Sequence, residues 1–581
     1  MCSLFYMELL KEIKAVKDNY EGGSIEIIEG LDFNQFQLLK QIEFYSNSKY
    51  LESNDNEPWR PFFNIVNYRV NVAIRATDLD TKDINVFTED PEYYIRSMIF
   101  NRGVKNWMRE AYFSKTLNDL NEIRVRYGGV LVKRRMENGK LFLEIPQWKN
   151  LIVDPVDIKN GIKIQKHYLT PIEIYNKRDV WEGVNENWEK IEKVLKKQYG
   201  KNATNSDRVC VYEVEGIFEK EDETEEEGYT LQQHFILGTH DGNMECILHS
   251  EDKKETDYKY LSYDEVSGRS LGRGVVEDGL EAQIATNEAI LAEKEIMDIA
   301  SKTLFYTDSD ILQNNALRDT ETGDFIKVGK GEQIGIFNTT PSSLPQLENI
   351  IQKWEDQYNK TASTFEAITG ETMPSGTPFR AIAIQNQEAQ SLFNYRKEEM
   401  GIFLNELFTD WIIPHIKKNL QKQDTLTADF DDEELEIIDE ELIKLNVRDE
   451  VKKRMLNMEA TTVDDYNTLK QLERERINKK LKKRRFLELP KDYFKDVEFK
   501  LDILITGEQI NKSAVFETMS NIMQTVAQNP QILQDPTLRK IFNKIIELSG
   551  IGISPAQLAT PQIQAQATQA PQLNQGLNPE A

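Results

Sequence analysis

The chain has 581 residues, 39% hydrophobic and 29% charged, and a formal net charge of −26. That length allows several domains with real cores. The acidic balance excludes a compact basic nucleic-acid reader unless cations gather on one face.

In chain order, MCSLFYMELLKEIKAVK has early acidic residues and no Ala-x-Ala site, so it does not read as a signal peptide. Residues 1–60 read as helical segments ending in the polar loop Ser53-Asn54-Asp55-Asn56-Glu57-Pro58. Residues 61–125 read mainly as helix, punctuated by aromatics. Beta character begins at Tyr127 to Arg134. A turn at Glu137-Asn138-Gly139-Lys140 follows, where Asn-Gly supplies positive φ, and Leu141 to Ile145 returns. Asn150 to Pro155 is a further short strand. At His167 to Glu173, Thr170 suits an N-cap and Pro171 the first helical position. Strands are expected at Val209 to Phe218, Thr230 to Leu237 and Met244 to Leu248, with the acidic run Glu221 to Glu227 as a solvated hairpin loop. Gly268 to Gly279 leads into a helix reaching about Leu304, whose apolar side carries Leu280, Ile284, Ile290, Leu291 and Ile296. From Phe305 to Pro345 polar turns and short beta runs (325–328 and 333–337) replace helix, which resumes at Leu347 through Phe365.

Met373-Pro374-Ser375-Gly376-Thr377-Pro378 then forbids helix, because two prolines lack the backbone donor. From Phe379 the spacing predicts a helix of about 35 residues, roughly 50 Å at ~1.5 Å per residue. Leu392, Phe393, Phe403, Leu404, Leu407, Phe408, Trp411 and Ile412 form its apolar stripe, and Pro414 is expected to break it. A helix so long, entered through a Pro/Gly loop, suits an assembly better than a catalytic scaffold. Beyond it, Asp429 to Glu441 is acidic and Glu473 to Arg485 strongly basic. Phe499 to Ile505 reads as strand, Gly507 to Val526 as helix, and the Gln/Ala/Pro tail from about Pro555 as disordered.

No apolar run reaches about 18 residues, so no membrane-spanning helix is expected. Cys2, Cys210 and Cys246 are too few and scattered for a disulfide framework or zinc site, which fits a reducing place of folding. Catalytic motifs fail in turn. Gly323 to Gly331 resembles a phosphate loop, but five residues separate its first two glycines and Gly331 replaces the magnesium-binding Ser or Thr. Gly272-Arg273-Gly274 is no dinucleotide fingerprint, since Glu277 takes the third glycine position, so these glycines read as permitting close packing or a bend. His167, His234, His240, His249 and His415 lack zinc spacing, and no nucleophile elbow occurs. No catalytic residue, cofactor or metal is therefore assigned, and no enzymatic activity is expected. The basic run Leu472 to Phe486 reads as a solvated face balancing the acidic segment, or as a sequence-blind phosphate contact.

The order of elements carries a resemblance. A mixed α/β body over about 60–265 leads to a helix over about 272–304, a beta-containing excursion, a returning helix, the Pro/Gly loop and the very long helix. This order resembles portal proteins of tailed bacteriophages (head-to-tail connectors), whose pattern is wing, stem helix, clip, stem helix, tunnel loop, long wing helix and crown. Leu271-Gly272-Arg273-Gly274-Val275-Val276-Glu277 is similar to the start of a first stem helix. Ala367-Ile368-Thr369-Gly370 through Pro378-Phe379-Arg380-Ala381-Ile382 is similar to the passage from second stem helix through tunnel loop. Asn150 to Pro155 and His167 to Glu173 resemble wing segments. The C-terminal length and Gln-rich tail resemble portals of short-tailed phages, including crAss-like gut phages.

The resemblance implies an α+β, mainly helical subunit that assembles into a ring. An N-terminal helical segment (1–60) would precede a wing (61–270), first stem helix (271–304) and clip (305–345). A second stem helix (346–370), tunnel loop (371–378), long wing helix (379–420), crown region (421–554) and tail (555–581) would follow. The implied function is a conduit for double-stranded DNA at one capsid vertex during packaging and ejection. The ring would be a dodecamer, found in the virion and, during assembly, in host cytoplasm. Its partners would be capsid and scaffold proteins, terminase, tail adaptors and transiently bound DNA, with no membrane. Glu371, Thr372, Met373, Pro374, Ser375, Gly376, Thr377, Pro378 and Arg380 would line the channel. Lys479, Lys480, Lys482, Lys483, Arg484 and Arg485 would meet DNA in the crown. The alternative reading is a non-viral multidomain helical scaffold that binds partners through its long helices.

Overall fold

A computed structural model describes residues 4–51, 60–82, 84–200, 204, 206–219, 228–239, 242–300, 304–307, 334–337, 344–361, 379–422, 425–427, 432–458, 462–480, 486–489 and 493–503. Helix accounts for 57% of them, so the fold is α+β and mainly helical. Two compact units emerge. The first takes the described residues within Met1–Val86, Asn101–Leu420 and Glu498–Leu501; the second, those within Phe87–Phe100, Gln421–Val497 and Asp502–Ala581.

The first unit opens with α1 (Leu4–Gly22), then an antiparallel hairpin of β1 (Ile25–Ile28) and β2 (Leu31–Phe33). The hairpin turns at Gly30, whose φ is +83°. Asn34 caps α2 (Gln35–Ser46), its side chain accepting the Gln37 N–H. Helix α3 (Val66–Thr77), strand β3 (Ile84–Phe87) and helices α4 (Tyr94–Glu110) and α5 (Phe113–Tyr127) follow. Strands β1 and β2 correct the helical reading of residues 1–60, whereas 61–125 are mainly helical as expected, with β3 an unforeseen strand among them. Each of the three is three or four residues long, too short for its period to show against the helical pattern around it.

Next come β4 (Gly129–Glu137), β5 (Lys140–Glu144), β6 (Leu151–Val153) and β7 (Lys163–Leu169), then α6 (Pro171–Asn176), α7 (Gly183–Glu186) and α8 (Trp188–Tyr199). Strands β8 (Val209–Glu219), β9 (Tyr229–Gly238), β10 (Met244–Asp252) and β11 (Tyr258–Ser262) complete the body. The β4–β5 turn uses Asn138 and Gly139 at φ +49° and +76°, as the Asn-Gly pair predicts. At α6, Thr170 and Glu173 form a reciprocal capping box with Pro171 in the first turn. Two antiparallel sheets result, ordered β10-β9-β8-β7-β6 and β11-β4-β5. Helix α1 buries Leu9 and Ile13 on one face of the larger sheet, against Ile164, Tyr212, Val214 and Ile236. On the other face Ile174, Trp181 and Ile191 meet Val209, Val211, Leu237 and Leu248.

Helix α9 (Val275–Ala300) then departs, and α10 (Leu344–Thr361) returns beside it. Between them β12 (Leu304–Thr307) pairs antiparallel with β13 (Ile334–Phe337). Helix α11 (Phe379–Leu407) follows, then a π-helical turn over Phe408–Ile412 and α12 (Ile413–Lys422). The expected break at Pro414 does not occur. The wide turn, in which the Ile413 N–H donates to the Phe408 carbonyl, sits just ahead of the proline and accommodates its missing donor. Lys259 donates to the Glu406 carbonyl at 3.4 Å and reaches the Asp410 carboxylate beside the turn.

The second unit contains β14 (Thr425–Thr427), α13 (Asp432–Leu456), α14 (Val463–Lys480) and β15 (Phe486–Glu488), which pairs with β14. Helices α13 and α14 run antiparallel: Arg474 near the end of one meets Glu440 near the start of the other at 2.8 Å. Ile438, Leu442, Ile443 and Val447 are the buried stripe of α13. Thr462 and Asp465 cap α14 reciprocally. The last strand, β16 (Lys500–Ile503), begins within the first unit, as does its sheet partner β3. The helix expected over Gly507 to Val526, the tail from Pro555, the acidic run Glu221 to Glu227 and the loop Gly323 to Gly331 lie outside the described residues.

Candidate functional site at the root of the long helices

The place from which α9 departs is built on backbone-to-backbone contact. Gly128, at φ +88°, ends α5. A Cβ there would stand 2.2 Å from the Gly272 carbonyl, and one at Gly274 would stand 2.5 Å from the Gly128 nitrogen. The glycine-rich lead-in thus permits close packing, as its sequence suggested.

One turn earlier on α5, Arg124 is fully buried. Its Nε donates to Ser262 O (2.9 Å), one terminal nitrogen to Arg396 O (2.9 Å) and the other to Glu399 (3.1 Å). A single guanidinium therefore fastens α5, the end of β11 and α11. Burial draws its pKa down to about 10, so it stays charged at neutral pH. Arg396 lies 3.9 Å over the Tyr263 ring.

Helix α10 is fastened to the start of α9, where the buried Tyr358 hydroxyl donates to Val275 O at 2.9 Å and its ring lies against Gly279. Farther along α9, Gln283 donates to Phe63 O and accepts the Ile65 N–H. Phe393 of α11 joins Val275, Val276, Leu280 and Tyr358 in one apolar cluster. Asp278 has its pKa pushed up to about 6 by burial, with Arg273 3.7 Å away opposing the shift. Helix α10 thus ends near its anchor at Tyr358, and α11, the next described element, is anchored at Phe393, Arg396 and Glu399. No protein-family model matches the chain, and no curated protein does.

Glu371, Thr372, Met373, Pro374, Ser375, Gly376, Thr377 and Pro378 lie outside the described residues, as do Lys482, Lys483, Arg484 and Arg485. Arg380 falls in the first turn of α11, and Lys479 and Lys480 in the last turn of α14, with backbone alone described. What brings α5, α9, α10 and α11 together is Arg124, Tyr263 and Tyr358, while Gln283 ties α9 to the lead-in of α3; sequence reasoning missed all four. Arg124 left a trace, since it continues the spacing of the buried Leu117 and Leu120 along α5.

A second polar concavity, of about 870 Å³, opens between the two sheets. At its floor the buried Glu213 accepts from Lys133, from His167 at 2.7 Å and from Gln233 at 2.5 Å. Burial alone would raise its pKa, but the His167 hydrogen bond and the Lys133 charge hold it down to about 2. Lys133 also donates to Gln165, which accepts from the Tyr258 hydroxyl. Every member of this chain has a partner, so its chemistry is that of a clasp between β4 and the larger sheet. Among the described residues no cluster of His, Cys, Asp or Glu has metal-holding geometry, and no helix is long and apolar enough to cross a membrane.

Proposed function

We propose that the chain is a portal-type subunit, forming a ring through which double-stranded DNA passes and on which packaging and tail proteins dock. The observation that carries this reading is the excursion α9–β12/β13–α10. It leaves the body, runs up to about 39 Å at ~1.5 Å per residue and returns to its own root. Segment 362–378 and the 29-residue α11 follow directly. A rigid outbound-and-returning helix pair presents the β12/β13 end to partners at a fixed distance. The following segment, with its Glu, Thr, Ser, Pro and Gly composition, offers DNA polar groups without strong attraction. A net charge of −26 works in the same direction, because DNA affinity grows with the phosphates that cations neutralise. Under this reading a separate terminase supplies the nucleotide chemistry, and the protein resides at the portal vertex of the virion.

Negative-stain electron microscopy and mass photometry of the purified chain should show closed rings with a central opening. Monomers or open filaments at every concentration would sink the proposal. Deleting Thr372 to Thr377 should leave rings intact and lower DNA retention in a packaging assay; failure to assemble would make the segment structural instead.

A further inference from the structure

Helices α9 and α10 each turn a stripe of side chains to solvent. On α9 it runs Glu277, Glu281, Ile284, Glu288, Leu291 and Glu295, in alternating steps of four and three residues. Arg269 holds Glu277. Glu281, Glu288 and Glu295 are exposed and make no ion pair among the described residues. Ile284 is 37% exposed. On α10 the stripe runs, from the returning end outward, Lys360, Gln357, Lys353, Ile350 and Gln346, again in steps of three and four. All five are exposed, Ile350 at 41%, and neither lysine makes an ion pair among the described residues.

The stripes differ cleanly in charge. Lys294 is the only cation of α9 and lies about 100° around the axis from the middle of the acidic stripe. On α10, Asp356 lies about 80° from the middle of the basic stripe, and Glu348 and Glu355 about 160° and 180°. The two stripes of one copy do not meet. On α9 the stripe is about 160° from Val275 and Gly279, and on α10 about 120° from Tyr358, the residues through which these helices touch.

That touch also fixes levels. Tyr358 stands beside Val275 and Gly279. Counting outward at ~1.5 Å per residue on both helices puts Lys353 level with residues 280–284, Ile350 with 283–287 and Gln346 with 287–291. Glu281, Ile284 and Glu288 stand at those three levels. In a ring whose axis runs along the helices, the next copy keeps each residue at its level. Its Lys353 then arrives at Glu281 and its Ile350 at Ile284, and matching three-four spacing lets two such helices interlock.

We propose that α9 of one copy packs against α10 of the next along these stripes, with Ile284 on Ile350 and Glu281 paired to Lys353. The contact joins unlike surfaces, so it repeats from copy to copy until a ring closes. It rests on the ring of the conduit reading and not on DNA passage.

The test oxidises the double variant Ile284→Cys with Ile350→Cys in the full chain, mixed from isotopically light and heavy protein. Electrophoresis without reductant should show covalent multimers rising in single-chain steps, and mass spectrometry should join position 284 of one copy to position 350 of another. A link inside one copy, or no multimers beyond those of wild type, would overturn the proposal. Lys353→Glu should raise the half-assembly concentration at least roughly tenfold, and adding Glu281→Lys to the same chain should return it to within about threefold of wild type. Unchanged assembly of the first variant, or no rescue by the second, would also overturn it, as would a wild-type chain that stays monomeric. Rings lacking the 284–350 link would remove this contact and leave the conduit reading standing; open filaments carrying it would do the reverse.

Discussion

Asp278 and Glu213 are both withdrawn from water, yet their environments move them in opposite directions. Glu213 has Lys133 and His167 in contact and stays ionised down to about pH 2. Asp278 has Arg273 only at 3.7 Å, so burial dominates and its pKa is about 6. The sign of the linkage follows. Asp278 binds its proton more readily folded than unfolded, so its contribution falls as pH rises from about 4 to about 6 and is flat above. A shift of about two units is worth at most about 3 kcal/mol, and roughly 1–2 after allowing for relaxation around Arg273. Asp278→Asn should therefore raise stability at pH 7.5 by roughly 1–2 kcal/mol in denaturant unfolding and flatten the pH 4–6 slope relative to wild type. An identical slope in the variant would place the dependence on another group. Neither carboxylate stood out in a chain with 98 acidic residues. Which of them is buried depends on tertiary packing, and no local spacing encodes that.

The elements most legible in the sequence were those with long, unambiguous periods. The apolar stripe Phe403, Leu404, Leu407, Phe408 and Trp411 is buried as its spacing predicted. The strands expected around Val209, Thr230 and Met244 are present and join β6 and β7 in the larger sheet. What escaped was short or non-local. The β1–β2 hairpin and β3 offer too few residues to set a period. Pro414 is a helix breaker by local rules and is overruled by a wide turn and the packing around it. In the stripe itself, Leu407→Ala should cost about 2–5 kcal/mol, because Leu407 is fully buried and leaves a cavity. Leu404→Ala should cost about as much, and Thr409→Ala should lie within about 0.5 kcal/mol of wild type. Chemical denaturation of the three variants checks this; equal costs would mean that the stripe does not face a packed core.

Across the whole molecule, the sequence carried the order of elements further than it carried the site. The excursion and the long helix could be traced from helix signals, Pro/Gly punctuation and the glycine lead-in. The clasp at their root could not, because Arg124 reaches residues more than 270 positions away. Charge at this scale yields a further expectation. A conduit with a charge of −26 should bind a short DNA duplex more weakly than ordinary non-specific binders do, at about 10⁻⁴ M or worse near physiological salt. The logarithm of its affinity should change little with the logarithm of salt concentration. Fluorescence anisotropy across a salt series measures both. Micromolar binding with a steep salt slope would indicate a gripping surface, contrary to free passage.

The π turn at Phe408–Ile412 also sets a phase. Each residue of an α-helix advances the chain by about 100° around its axis. The wide turn accommodates roughly one residue beyond what a straight α-helix would hold over the same rise, so it works as a rotational offset between α11 and α12. Upstream, Phe403, Leu404 and Leu407 point into the core; downstream, Ile416 and Leu420 do so as well. Both sets face inward because the offset lies between them. Deleting one residue there would restore a regular helix and swing Ile416 and Leu420 away from Gly103 of α4, against which they now pack. In a lineage of such chains, this turn would be expected to persist as a fixed length while the residues filling it vary.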